Sequence, residues 1–82
     1  MSGLRLYTSG DCGFCARLTG RLDKAGVEYE QVDVDGDPDV ARWVEEVNGG
    51  PRTVPVVVYP DGNVVTNPEP REVLAVVASW GG

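Results

Sequence analysis

The chain contains no histidine and only two cysteines, and these shortages narrow its chemistry at once. Without histidine there is no Cys–His nucleophile, no Ser–His triad and no imidazole metal ligand. Zinc normally takes four Cys or His ligands, so two thiols supply at most half of an intermolecular site. Positive charge is also scarce. Seven Lys and Arg face thirteen Asp and Glu, for a formal charge of -6 and a pI near 4.3. Nucleic acid and anionic membranes both demand basic surface, so neither is an expected partner, and the charge reads as a solubility feature. No stretch approaches the ~20 apolar residues of a membrane span, and no basic-then-apolar leader precedes Leu4. A cytoplasmic protein is expected.

What remains is concentrated in one place. Both cysteines fall in Cys12-Gly13-Phe14-Cys15, after the short apolar run Leu4-Arg5-Leu6-Tyr7 and at the head of a helical stretch from Phe14 to Ala25. A C-x-x-C at a strand-to-helix switch in a small α/β domain reads as a thiol–disulfide redox centre. The first thiol sits where helix N–H groups and the dipole favour an anion, and the second lies one turn inward, close enough to form a disulfide. An inert structural disulfide is the plain alternative, but so short a loop gains little chain entropy and staples nothing distant. A reducing compartment also favours the catalytic reading. With no histidine to help, Cys12 must be activated by helix position, hydrogen bonds and nearby cations.

Eighty-two residues, 41% of them hydrophobic, suffice for one core, so residues 1–82 read as a single domain. No repeat, linker or low-complexity segment interrupts them, and Gly81-Gly82 reads as a frayed tail. Leu4 to Tyr7 is the first strand. The first helix carries Phe14, Leu18, Leu22 and Ala25 at helical spacing and ends at Gly26. Val27 to Val34 reads as a second strand nearer the sheet edge. Asp37-Pro38 gives an N-cap followed by proline at the first helical position. Val40, Val44 and Val47 then line the inner face of that helix, which Asn48-Gly49-Gly50 ends. Pro55 to Tyr59 is β-branched and apolar, as expected of a central strand covered on both faces. Pro60-Asp61-Gly62-Asn63 is a hairpin turn into a brief strand at Val64-Val65. Asn67-Pro68-Glu69 repeats the cap-then-proline signal and starts a last helix reaching Trp80, with Val73, Val77 and Trp80 inward. The order β-α-β-α-β-β-α predicts a four-stranded mixed sheet with three helices on its two faces, a thioredoxin-like arrangement.

Thr53-Val54-Pro55 precedes the third strand. Taken alone it is a proline starting a strand, where its missing N–H costs nothing. Combined with the C-x-x-C, it makes the chain resemble the glutaredoxin family. Within that family the resemblance is to the mycoredoxins, through Cys12-Gly13-Phe14-Cys15, Val47-Asn48-Gly49-Gly50, Arg52-Thr53-Val54-Pro55, and Asp61-Gly62 with Thr66-Asn67-Pro68. It extends from Leu6 to Val77. It implies a cis Val54–Pro55 bond beside the cysteines, with Val54 docking substrate disulfides through its backbone like an added strand. It also implies Cys12 as nucleophile, Cys15 as resolving thiol and a redox-active disulfide between them. Phe14, Arg52, Thr53, Val54, Pro55, Thr66 and Asn67 are the implied substrate-binding residues. No bound cofactor or metal is required. A small thiol, mycothiol by this resemblance, is the cosubstrate, recharged by an NADPH-dependent disulfide reductase. S-thiolated proteins are the clients, and a monomer is expected.

Two departures from the family pattern carry information. Glutathione-using members hold a glutathione carboxylate on a Gly-Gly-x-x-Asp segment before the last helix. Val64-Val65-Thr66-Asn67-Pro68 stands there instead, which points to a different small thiol. The residue before the first cysteine is often aromatic, whereas here it is Asp11, whose carboxylate opposes a neighbouring thiolate unless it points into solvent. Among the other residues, Arg17 and Arg52 can steer an anion or simply stay solvated, Trp43 and Trp80 read as packing, and Phe14 as a cover over the disulfide. The acidic run Asp33 to Asp37 lacks the terminal glutamate of a calcium loop. Two rival functions remain. One is a redoxin donating electrons to ribonucleotide reductase and recharged by thioredoxin reductase, although its Gly/Phe-rich C-terminal segment is absent. The other is an iron–sulfur cluster carrier, against which the intact cysteine pair argues.

Overall fold

The computed structural model describes residues 3–80; Gly81-Gly82 lies outside the described residues. Four strands, β1 (Arg5–Thr8), β2 (Glu30–Asp33), β3 (Val56–Val58) and β4 (Val64–Thr66), form one sheet in the order β2-β1-β3-β4. β1 runs parallel to β2 and antiparallel to β3, and β3 pairs antiparallel with β4. Three helices, α1 (Gly13–Lys24), α2 (Pro38–Asn48) and α3 (Pro70–Ala78), complete the expected β-α-β-α-β-β-α order. The mixed four-stranded sheet and three helices are those of the thioredoxin-like fold. Among the described residues no helix is long and apolar enough to cross a membrane.

The two faces of the sheet follow from strand alternation. Leu6 pairs with Val57 and both are fully buried against Leu4, Leu18, Leu22, Tyr59 and Val73, the cluster that joins α1 and α3 to the sheet. The neighbouring pair, Tyr7 and Val56, turns to the opposite face, where Val34 and Val44 complete a smaller core under α2. Trp43 packs its ring on Tyr7 at a centroid distance of 4.7 Å, and Trp80 meets Tyr59 edge-on at 6.3 Å. Trp80 nevertheless stays 40% exposed, so it lies on the rim of the core rather than in it.

Helix ends follow local chemistry. Asp37 caps α2 by accepting from the backbone N–H groups of Asp39 and Val40, with Pro38 as its first residue. Gly49 ends it in the left-handed conformation at φ 76°. The first helix differs from expectation in its buried face. Cys15, Leu18 and Leu22 point inward, while Phe14 is 61% exposed and Ala25 is exposed. In α2, Ala41 joins Val44 inside, and Val47 is 38% exposed.

Several boundaries shift by a residue or two, and two of the differences have identifiable reasons. β2 is shorter than Val27–Val34 because β1 offers only Arg5 to Thr8, in register with Glu30 to Asp33. Asp33 then accepts from the Asp35 N–H and turns Val34–Gly36 into a single 3-10 turn. The last helix starts at Pro70, with Glu69 as its cap residue, and not at Pro68. A residue preceding proline is sterically driven out of the α region, and Glu69 accordingly sits at φ -66°, ψ 141°. Pro70 thus forbids the earlier start. Asn67 is held instead in a left-handed turn at φ 50°, its N–H donating to the Pro55 carbonyl at 2.7 Å.

Leu6 is the residue on which β1, β3 and both flanking helices converge. Leu6→Ala is expected to cost about 2–5 kcal/mol, read as a lower midpoint in urea unfolding at unchanged slope.

Candidate active site

The redox pair is built where β1 hands over to α1. Thr8 ends the strand in a buried position, its hydroxyl oxygen accepting from Gln31 Nε2 at 2.9 Å. The loop beyond it is tied down by the Gly10 N–H, which donates to Asp35 Oδ2 at 3.2 Å. The acidic run therefore organises turns: Asp33 closes the 3-10 turn, Asp35 holds the loop before Cys12, and Asp37 caps α2. Among the described residues no cluster of three or more His, Cys, Asp and Glu is arranged to hold a metal ion.

Cys12 is the N-cap residue of α1, in extended conformation, and its side chain does the work that serine or aspartate does in other caps. The Cys15 N–H donates to Cys12 Sγ at 3.0 Å. On its other side the Cys12 thiol donates to the Val54 carbonyl at 3.6 Å. Asp11, just before it, is exposed. Cys15, three residues on, is buried with 3% of its surface accessible. Burial, and then the hydrogen bond to Cys12, push the Cys15 thiol up to about 12. The two sulfurs, both free thiols here, are thus set apart chemically. One is half-buried and faces a helix N–H, while the other is interior and protonated at neutral pH.

Val54–Pro55 is a cis peptide, as the resemblance implied, and it lies against Cys12 through the Val54 carbonyl. Pro55 is buried and Val54 half-buried. The Pro55 carbonyl accepts from the Asn67 N–H, which brings the Thr66-Asn67 segment to the same turn. Thr53 is exposed, and Arg52 gives two donors to Glu45 Oε2, both at 3.2 Å. Arg52 is therefore anchored to α2. Phe14, between the two cysteines, is 61% exposed.

Asn48 is the residue whose role sequence reasoning underestimated, reading it as a helix terminator within a family motif and not as part of the site. Its Nδ2 donates to the carbonyls of Pro51 (3.1 Å) and Thr53 (2.9 Å), and its Oδ1 accepts from the Thr66 hydroxyl at 2.6 Å. One amide thereby ties the end of α2, the loop entering Val54–Pro55, and the end of β4. The signal available in the sequence was an amide-bearing residue just before two glycines and a proline, too common to single out.

The glutaredoxin family model matches residues 4–65. The chain belongs to the glutaredoxin family. Mycoredoxin 1 of Corynebacterium glutamicum is 43% identical over 77 residues, covering 94% of this chain and 95% of that protein. A glutaredoxin of Mycobacterium tuberculosis is 40% identical over 81 residues, 99% and 96% of the two chains. Among solved structures, a glutaredoxin from Archaeoglobus fulgidus matches the fold with a TM-score of 0.74 at 24% identity, covering 94% of this chain and 87% of that one. NrdH-redoxin of Escherichia coli, a glutaredoxin-like protein described as having a thioredoxin-like activity profile, reaches 0.73 at 25% identity, over 89% and 92%. The protein is a glutaredoxin-type thiol–disulfide oxidoreductase close to mycoredoxin, in a family that works with small thiols and disulfide clients. Fold similarity is nearly equal toward the two structures, so it does not choose between their activities.

Two outcomes are expected. The Cys15 thiol ionises near 12, against roughly 8.5 in an unfolded chain, so iodoacetamide at pH 8 labels Cys12 and spares Cys15 in peptide mass mapping. The same shift makes folding stability fall as pH rises from about 9 toward 12, because there the unfolded state releases a proton that the folded state keeps. Asn48→Ala leaves two carbonyls and one hydroxyl to water. It should lose about 1–3 kcal/mol in urea unfolding, with lower disulfide-reducing activity.

Proposed function

We propose that the protein reduces mixed disulfides between client proteins and mycothiol, with Cys12 as nucleophile and Cys15 as resolving thiol. The observation that carries this reading is the position of Cys12 Sγ between the Cys15 N–H and the Val54 carbonyl. That N–H holds Sγ at the start of α1, where an arriving disulfide can reach it. A docked disulfide chain reaches Cys12 through the backbone of Val54, in the manner of an added strand. Val54 and Pro55 shape that dock, with Thr53 leading into it and Phe14 as its exposed apolar edge.

In the first step the Cys12 thiolate attacks the small-thiol sulfur. A Cys12–S–S–thiol bond forms, the client sulfur leaves as thiolate and takes a proton from water. A second small thiol then attacks the adduct, giving the small-thiol disulfide and restoring Cys12. An NADPH-dependent reductase returns that disulfide to two thiols. Alternatively Cys15 loses its proton, attacks Cys12 Sγ and releases the small thiol, leaving the Cys12–Cys15 disulfide.

The preference for mycothiol rests on the entrance to α3. Pro70 is the proline that removes an N–H from the helix start, and the carboxylate of Glu69 already stands at that start, 3.6 Å from Arg17. The Thr66 hydroxyl donates to Asn48 and its oxygen retains acceptor capacity, while among the described residues nothing pairs with the side-chain amide of Asn67. These neutral groups suit a sugar–inositol thiol, and Arg52, anchored by Glu45, belongs to the loop that leads into Val54. We further propose that residues 1–82 act as one monomeric domain in the cytoplasm, with neither nucleic acid nor membrane as partner.

One set of assays decides among the readings. With mycothiol and its reductase, wild-type turnover should exceed that with glutathione and its reductase by about tenfold or more in kcat/KM. Cys12→Ser should abolish turnover, and Cys15→Ser should retain it. Equal use of both thiols removes the mycothiol assignment. Efficient recharging by thioredoxin reductase alone, lost equally in both cysteine variants, supports the dithiol redoxin instead.

A further inference from the structure

Positive charge is scarce in this chain, yet three of its seven basic residues converge. Arg17 and Arg21 of α1 and Arg71 of α3 line one surface cleft of about 390 Å³ with Glu69 and Pro70. Glu69 takes Arg17 at 3.6 Å, whereas among the described residues Arg21 and Arg71 pair with no carboxylate. Three cations therefore face one anion in a molecule whose formal charge is -6. The local field has the opposite sign to the global one.

The cleft also stands in line with the redox pair. Phe14, Arg17 and Arg21 are all exposed and sit at i, i+3 and i+7 of α1, so they share one face. Only Gly13 separates Phe14 from Cys12. At 1.5 Å per residue, Arg17 lies about 7 Å and Arg21 about 13 Å along the helix from its Cys12 cap. An extended chain advances ~3.3 Å per residue, so this basic face spans roughly two to four residues of a docked segment beyond the attacked sulfur.

We propose that the arginine cleft between α1 and α3 docks an acidic segment of the thiolated client protein, with Phe14 making the apolar contact beside the reacting disulfide. Clients carrying carboxylates about two to four residues from the modified cysteine are thereby selected, against the repulsion of the molecule as a whole. The inference rests on the oxidoreductase reading above for its reaction and adds no chemical step of its own. Its occupant follows from charge complementarity: two arginines without carboxylate partners, spaced along a helix, match a run of carboxylates.

The test uses paired peptides, each with one cysteine joined to the small thiol, one neutral and one with Asp or Glu at those positions. At low ionic strength the wild-type kcat/KM should favour the acidic peptide about tenfold, and the ratio should fall toward one in high salt. Net charge alone predicts the opposite order and a ratio that rises with salt. Arg21→Glu with Arg71→Glu should bring the ratio to one or below, and Arg21→Gln with Arg71→Gln should bring it part of the way. The neutral peptide serves as internal reference in each variant. A wild-type ratio at or below one, or a ratio unmoved by charge reversal, overturns the proposal. So does inorganic phosphate abolishing the preference where chloride of equal ionic strength does not, since the cleft would then be a free-anion site. If neither thiolated peptide is reduced, the oxidoreductase reading fails. The cleft is then judged by binding of the unmodified acidic peptide to Cys12→Ser protein, which must show the same salt and charge-reversal signature.

Discussion

Everything chemical in this fold depends on one sulfur serving as a helix cap. Cys12 satisfies an N–H at the start of α1, and the same hydrogen bond holds its Sγ where a disulfide must arrive. Its second contact, to the Val54 carbonyl, joins the helix start to the turn before β3. From there the Pro55 carbonyl reaches the Asn67 N–H, and Asn48 reaches both Thr53 and Thr66. A chain of single hydrogen bonds thus connects α1, α2, β3 and the approach to α3 around the thiol. None is strong alone, since a net hydrogen bond contributes about 1 kcal/mol. Their value lies in shared position, because moving any one segment breaks contacts to two others.

The sheet supplies the rigid base for that arrangement. β1 is central, and its alternation sends Leu6 to the α1–α3 core and Tyr7 to the α2 core. The larger core fixes the helix that presents Cys12, while the smaller one fixes the helix whose end carries Asn48. Cys15 belongs to the buried face of α1 with Leu18 and Leu22, so the helix cannot rotate without exposing it. Burial that keeps α1 seated is also what keeps the second thiol protonated. Packing and reactivity are two consequences of the same placement.

Charge is arranged with similar economy. The carboxylates near the redox pair are mostly committed to backbone: Asp35 to the loop before Cys12, Asp33 to its own turn, Asp37 to the start of α2. The arginines of α1 and α3 gather instead on an outer face that begins at Phe14. An acidic molecule thereby carries a basic surface on the helix that presents its reactive sulfur, and the distinction is invisible in a net charge.

Local rules were enough for most of the architecture. Strand alternation, the Asp37-Pro38 cap, Gly49 after α2 and the cysteine spacing all act within a few residues, so the element order and the redox pair were legible from the chain alone. The cis Val54–Pro55 bond was legible only through the family resemblance, because one X–Pro sequence says little about its isomer. The helix start at Pro70 rather than Pro68 could have been read locally, since proline constrains the residue before it. What no local rule could supply was which distant groups meet. The register of β1 trimmed β2, long-range hydrogen bonds gave Asn48 its position, and the packing of α1 against α3 brought Arg17, Arg21 and Arg71 to one cleft. The sequence by itself determined the elements and the chemistry of the thiols. Only the tertiary structure decided the meeting of remote side chains, because those contacts arise from packing surfaces whose relative placement no short stretch of chain encodes.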